Sequence, residues 1–266
     1  MIDHISPSML GLFCRCQEAF RRRYLEGEKL PPGIAACIGS GMHKGAEANH
    51  RQKLASGVDM PVADIKDAAR DGYVKAVADG VFIPAGEEAE APRALEKGMD
   101  TSVSLAASYA EKVAPGIQPV AVEEKMTAAH QDLPVPFLGI IDVLDKTGWC
   151  PDLKSAARKW SEGKEVGNPQ PPVYSFLLKR TRNLDAAFSF EVLTHKGDHQ
   201  HIPVETRPED LQPIIARAHG LLFSVQSGVF MPAEPGHWLC SPKWCGYWWS
   251  CAHIPAYRKT LPKKAA

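Results

Sequence analysis

The 266-residue sequence has no excess of either charge: 31 lysines and arginines meet 31 aspartates and glutamates. A net charge of zero names no class of partner, so any electrostatic information lies in local patches. No run approaches the ~18 apolar residues of a membrane span. The opening stretch, MIDHISPSML, lacks the basic segment and apolar run of a secretory signal. A soluble, cytoplasmic protein without membrane attachment is therefore expected. There is no internal repeat, no low-complexity segment and no G-x-x-x-x-G-K-[ST] phosphate loop. Solenoids and ATP-driven motors of that type are thereby excluded. Seven cysteines in a reducing compartment read as core thiols or metal ligands, not as a disulfide framework.

What is present suits one large globular domain, with 44% hydrophobic and 23% charged residues. Ser6-Pro7 reads as a helix start, a capping hydroxyl followed by proline in the first turn. Phe13, Cys16, Phe20 and Tyr24 then recur at helical spacing. The same helix carries Arg15, Arg21, Arg22 and Arg23, and Pro31-Pro32-Gly33 ends it. Further helices are expected at about 34–55, 62–79 and 90–113. Near residue 117 the period changes to two. QPVAVEEKMTA reads as a strand with Val120, Val122, Glu124 and Met126 on one face, and FLGIIDVLDKTGWCPDLK as a hairpin turning at Asp145–Gly148. A helix at about 171–182, strands in AAFSFEVLTH and QHIPVET, and a helix at about 208–226 complete the pattern. The fold expected is α/β, a central mixed sheet flanked by helices. Its approximate parts are a helical region 1–115, a sheet-containing core 116–230 and a cysteine-bearing tail 231–266.

The chemistry gathers around the expected hairpin. Asp152 and Lys154 are two apart on a strand, so they share a face. If the face of Asp142 coincides with theirs, two carboxylates lie side by side, which destabilises a sheet. A divalent cation such as Mg²⁺ or Mn²⁺, which favours oxygen ligands, removes the conflict. Lys154 would then stand beside the metal, where it can stabilise charge on a phosphate. Glu124 on the preceding strand offers a further carboxylate. The plain alternative is a solvated hairpin with a local salt bridge. Upstream, GSGMHKGAE places His43 where glycines would allow close approach to a metal, whereas His50 has no such approach. A surface or core histidine is the ordinary alternative. Downstream, Gln170 and Tyr174 share a helix face and can hydrogen-bond a nucleic-acid backbone or base, or else act as a cap and a half-buried tyrosine.

In this order GSGMHKGAE, GIIDVLD, PDLK and QPPVY resemble the motifs of the PD-(D/E)XK nuclease superfamily, in particular its RecB-like branch. The resemblance runs from about Ser6 to Tyr174. It implies a restriction-endonuclease-like core and a metal-dependent site of His43, Asp142, Asp152 and Lys154, with Gln170 and Tyr174 on the substrate side. Pro171-Pro172 inside the last motif departs from the pattern and bears on where that helix starts. The implied activity is a Mg²⁺- or Mn²⁺-dependent deoxyribonuclease, an exonuclease of recombination or repair in a bacterial or phage-infected cell. DNA is the implied substrate. A helicase or single-strand-annealing protein would be a separate partner. A CRISPR-adaptation-type nuclease shares the layout, and a non-catalytic iron–sulfur DNA-binding subunit is the reading from another class.

The tail, HWLCSPKWCGYWWSC, holds Cys240, Cys245 and Cys251, a metal nest that needs a fourth ligand. A subgroup of RecB-like nucleases resembles this arrangement, with an N-terminal C-x-x-x-F cysteine and three C-terminal ones around a 4Fe–4S cluster. The resemblance assigns Cys16 rather than Cys14 as the fourth ligand, although glutamine follows where that subgroup carries proline. Zinc is the second choice of occupant, and uncoordinated thiols the third. Cys37 and Cys150 are expected to pack in the core. Trp238, Trp244, Trp248, Trp249 and Tyr247 are expected mainly to shield the cluster. Near a basic run, Arg258, Lys259, Lys263 and Lys264, they offer base stacking as the other reading.

Overall fold

The computed structural model describes residues 2–234 and 236–254. The basic run Arg258–Lys264 lies outside the described residues. Helix α1 (Pro7–Arg15) begins as expected, with the Ser6 hydroxyl accepting the Met9 N–H. It does not continue to Tyr24. Cys16 is extended (φ −163°, ψ 105°), and a new short helix, α2 (Gln17–Phe20), starts beyond it and runs into a π turn at Arg21–Leu25. The Cys16 thiol itself caps α2 by accepting the Ala19 N–H at 3.4 Å. The break turns Cys16 off the apolar stripe that Phe13 and Phe20 keep.

Three long helices follow, α3 (Ile34–Ser56), α4 (Val62–Ala78) and α5 (Ala91–Lys112). Their close packing explains most of the glycines before and after His43. A Cβ at Gly41 would lie 2.2 Å from Ser102 Oγ and 2.7 Å from the Ala69 carbonyl, and one at Gly45 would lie 2.9 Å from the Ile65 carbonyl. These two positions let α4 and α5 close on α3, and they make no approach to a metal. Only Gly39, four residues before His43, faces the sheet, where Ser155 Oγ would be 3.1 Å from an added Cβ.

Strands β1 (Pro119–Ala128) and β2 (Phe137–Asp145) form an antiparallel pair. Strand β3 (Trp149–Ala156) pairs in parallel with β4 (Ala187–Thr194), which pairs antiparallel with β5 (His199–Val204). The expected fold class is therefore present, a mixed sheet structure with helices around it. The expected β2–β3 hairpin is corrected in one respect. A tight turn joins the strands, with Gly148 at φ +86° and the Asp145 carboxylate accepting the Thr147 N–H at 2.7 Å. Yet among the described residues the two strands share no ladder: β2 bonds to β1 and β3 to β4. Each strand pairs along its other edge, and the two part beyond the turn.

Helices α6 (Gln170–Arg182) and α7 (Gln212–Ser227), together with α1, cover one core, which includes Phe137, Ile141, Tyr174, Leu177, Phe188, Phe190 and Leu221. Helices α3 and α5 cover a second core with Met42, Leu105, Val143, Leu153 and Leu193. Strand β4 is buried along nearly its whole length between them. Gly139 is what seats α6: an added Cβ would fall 2.7 Å from Tyr174 Cε1 and 2.8 Å from Leu177 Cδ1. Gly139→Ala is expected to lower stability by about 1–3 kcal/mol, the usual cost of overpacking a filled core. Gly116→Ala, with nothing within 4 Å of the added carbon, should be near neutral, and thermal unfolding of the two variants checks the contrast.

Candidate active site

The site forms where β2 and β3 splay and the middle of α3 crosses them. Asp142, near the end of β2, turns its Oδ2 to the Leu153 N–H at 2.8 Å. A side-chain oxygen thus takes a bond that a regular hairpin would give to a backbone carbonyl, and it fixes the carboxylate at the junction. His43 on α3 brings Nδ1 to 3.5 Å from the same oxygen. On β1 the register runs from Val122 opposite Val143 to Glu124 opposite Ile141, which sets Glu123 opposite Asp142. Glu123 has φ +49°, a conformation that side chains other than glycine rarely adopt. His43, Glu123 and Asp142 each offer a ligand atom within 4.8 Å of the others.

Glu124, the carboxylate expected from strand alternation, is engaged elsewhere, by the Arg182 guanidinium at 2.6 Å. The alternation argument assumed a straight β1. β1 shifts register between Pro119 and Ala121, and the unbroken register from Val122 onward sets Glu123, not Glu124, opposite Asp142. Burial first, then the charge of Asp142, raises the Glu123 pKa from its usual value.

Asp152 and Lys154 share a face of β3 as expected, with Lys154 Nζ 2.5 Å from Asp152 Oδ2. Asp152 is 3% exposed. Burial above all lifts its carboxyl well above the usual aspartate range and the Asp142 charge adds to this, while Lys154 pulls the other way. Its Oδ1 accepts a hydrogen bond from Gln170 Nε2 at 2.8 Å. Oδ2 makes its ion-pair contact with Lys154 but has no hydrogen bond. The double proline does not displace Gln170, which opens α6 with Pro171 and Pro172 in the first turn. Gln170 also lies 3.4 Å from the buried Tyr174 hydroxyl. The structure thus brings Asp142, Asp152, Lys154, Gln170 and Tyr174 to one place, with His43 on its α3 side. Gln170 there grips a carboxylate of the site directly.

His50 lies behind this group and lines one small cavity with His43, Glu123 and Asp142. It is buried, it pairs with the Tyr109 hydroxyl, and burial above all pushes its pKa down to about 4. Glu47, one turn from His43, is taken up by Lys44 and by Arg51.

A profile of the PD-(D/E)XK nuclease superfamily matches residues 4–252. The chain belongs to the PD-(D/E)XK nuclease superfamily. No curated protein matches it by sequence. Among solved structures, a protein from Eubacterium rectale named "Putative exonuclease" shares this nuclease's fold at 10% identity, with a TM-score of 0.55 over 86% of this chain and 84% of that one. SSO0001 aligns at 14% identity over 78% of this chain and 94% of its own, but its TM-score of 0.37 is too low to bear on the fold. Among the described residues of the nuclease no helix is long and apolar enough to cross a membrane.

A second constellation lies at the chain's two ends. Cys16, Cys240, Cys245 and Cys251 line one cavity of about 150 Å³, whereas Cys14 is exposed on the far side of α1, in a different groove. Cys37 and Cys150 are buried in the cores, as expected. The tail around the cavity has neither helix nor strand among the described residues. It is tied to α2 by the Gln17 and Glu18 N–H groups donating to the Met231 carbonyl at 3.1 and 3.3 Å, and by Arg22 Nη2 donating to Ser250 Oγ at 2.9 Å. The aromatics divide: Tyr247 and Trp244 line the cavity, Tyr247 and Trp248 are buried, and Trp238, Trp244 and Trp249 are exposed. Only Tyr247 is both buried and in the cavity wall.

Proposed function

We propose that this chain is a Mg²⁺- or Mn²⁺-dependent deoxyribonuclease of the RecB-like branch, acting as an exonuclease in recombination or repair. The observation that carries the reading is the convergence of Asp142, Asp152 and Lys154 at the β2–β3 splay, with His43 and Glu123 against it. A divalent cation fits this donor set: carboxylate oxygens and one imidazole within 4.8 Å, and beside them the buried Asp152 carboxylate, whose Oδ2 meets Lys154. Bound there, the cation would supply Lewis acidity toward a phosphoryl oxygen. The chain's own part is positional and electrostatic. The Leu153 N–H and Gln170 amide hold Asp142 and Asp152 in place. Lys154, aimed by its contact with Asp152, meets negative charge as it grows on the phosphate. Unwinding or annealing of DNA would fall to a separate partner.

The four cysteines support a 4Fe–4S cluster in the same reading. Cys16, Cys240, Cys245 and Cys251 line one cavity, so four thiolates are available to a single centre. Burial above all pushes the Cys245 thiol up to about 11, so ligation must draw off its proton. The role would be structural, a clasp between the chain ends.

The deciding experiment is an anaerobic preparation assayed on end-labelled single- and double-stranded DNA. Mg²⁺- or Mn²⁺-dependent shortening from the ends, stopped by chelator, is expected, and no hydrolysis with either metal would overturn the reading. Within the site, Glu123→Gln should weaken metal affinity and lower the rate more than Glu124→Gln. Likewise His43→Ala should reduce activity, whereas His50→Ala should chiefly reduce stability. The reverse ranking in a metal titration would show the wrong residues to be ligands.

A further inference from the structure

A groove of about 790 Å³ opens beside Lys154 and Gln170, walled by α1, the middle of β2, the loop at 164–169 and α7. Arg15, Lys164 and Arg217 line it together with Lys154, and no aspartate or glutamate does. In a chain of zero net charge that is a one-sign surface, and a cleft of one sign concentrates counter-ions. Arg15, Lys164 and Arg217 form no ion pair among the described residues. Arg15 Nε donates to the Gly11 carbonyl at 3.0 Å and Arg217 Nη1 to the Gly167 carbonyl at 3.1 Å, while Lys164 lies over the Trp160 ring. Two apolar side chains stand in water among these cations, Ile140 at 45% exposure and Val166 at 78%. Ile140 is two residues before Asp142 on β2, so it shares the face of that carboxylate.

Resting on the nuclease reading, we propose that this groove is the path of a single, unpaired strand into the site. Arg15, Lys164 and Arg217 are positioning residues that hold its phosphates, and Ile140 and Val166 receive its bases. The volume is that of a pocket for a drug-sized ligand, room for about two nucleotides of one strand. In a duplex the base faces that Ile140 and Val166 could touch are covered by stacking. Cations tracking a backbone beside surfaces that take unstacked bases is the general form of single-strand recognition.

The test is fluorescence-anisotropy binding of a labelled oligothymidylate, and of a blunt duplex of equal length, in EDTA across a salt series. The proteins are the full chain and its Arg15→Ala, Lys164→Glu and Arg217→Ala variants. Arg217 also holds the loop at Gly167, so Lys164→Glu, which breaks no such bond, keeps the test decisive. Each substitution should weaken single-strand binding about threefold to tenfold and lower the salt slope by about 0.7 or more, and the duplex should bind less tightly. Unchanged affinity and slope in all three variants, or a duplex bound as tightly as the single strand, would overturn the groove. Hydrolysis by the wild type is scored separately with Mg²⁺. A protein that binds as expected but never cleaves defeats the nuclease reading alone, and one that cleaves with unaffected variants defeats the groove alone.

Discussion

Asp152→Asn is expected to abolish hydrolysis and, in metal-free protein at neutral pH, to raise stability. Asp152 is almost wholly buried, and burial is the main reason its carboxyl sits above the usual aspartate range. For an acid whose pKa is raised on folding, the unfolded chain gives up the proton more readily. Stability is therefore lost as pH rises from the unfolded value through the folded one. Asparagine has no proton to lose and is not subject to this cost. The variant should match the wild type near pH 4, gain on it as pH rises, and lead by about 1–3 kcal/mol at pH 7, since a tenfold difference in proton affinity between the folded and unfolded chain is worth about 1.4 kcal/mol. Lys154→Ala should move stability the other way. It removes the ammonium group in contact with Asp152, which draws that carboxyl toward its charged form. The loss should reach at most about 3 kcal/mol, less than for a fully buried pair because Lys154 is partly exposed. Its hydrolysis rate should fall about 10²–10³-fold, the effect of deleting one group aimed at developing charge. Urea unfolding in EDTA between pH 4 and 8, with a parallel Mg²⁺-dependent digest, reads both effects. Undiminished cleavage by either variant would remove these residues from the site.

Loss of Cys245 or Cys16 should have the largest effect on the fold. The tail they would clasp has no helix or strand of its own among the described residues and meets α2 through a handful of hydrogen bonds. Cys16 and Cys240 are separated by 224 positions, so a shared centre closes nearly the whole chain. The entropy of that closure grows only slowly with length, and most of the gain comes from the binding free energy, which is also folding free energy. The wild type should be brown, with broad absorption near ~400 nm. Cys245→Ser and Cys16→Ser should bleach it and lower Tm by about 10 °C or more, equivalent to roughly 3 kcal/mol or more for a domain of this size. Activity should fall as the fold loosens. Cys14→Ser, at an exposed position outside the cavity, and Cys37→Ser, in the helical core, should keep the colour. A colourless, zinc-loaded protein would keep the clasp and replace its occupant. A folded, brown Cys16→Ser protein would show that the fourth ligand lies elsewhere.

Much of this molecule was legible in the residue order because its signals are local. Ser6-Pro7 starts α1 through the capping bond seen between Ser6 and Met9. The period-two run of PDLK sets Asp152 and Lys154 on one face whatever lies around them. The four-residue spacing of Gln170 and Tyr174 survives two prolines because both fall in the first helical turn, where no N–H is needed. Three features depended on distant contacts that no pattern encodes. Glu123 rather than Glu124 faces Asp142, because the register of β1 on β2 sets it there after a shift between Pro119 and Ala121. Gly41 and Gly45 serve the packing of α4 and α5, because those helices close on α3 from 20 to 60 residues away in the chain. β2 and β3 splay instead of pairing, with β2 on β1 and β3 on β4, and this leaves the Leu153 N–H for the Asp142 carboxylate. Alternation and helical spacing determined which side chains share a face. Only the packing of β1, β2, β3 and α3 against one another decided which of those faces meet, because that depends on long-range burial.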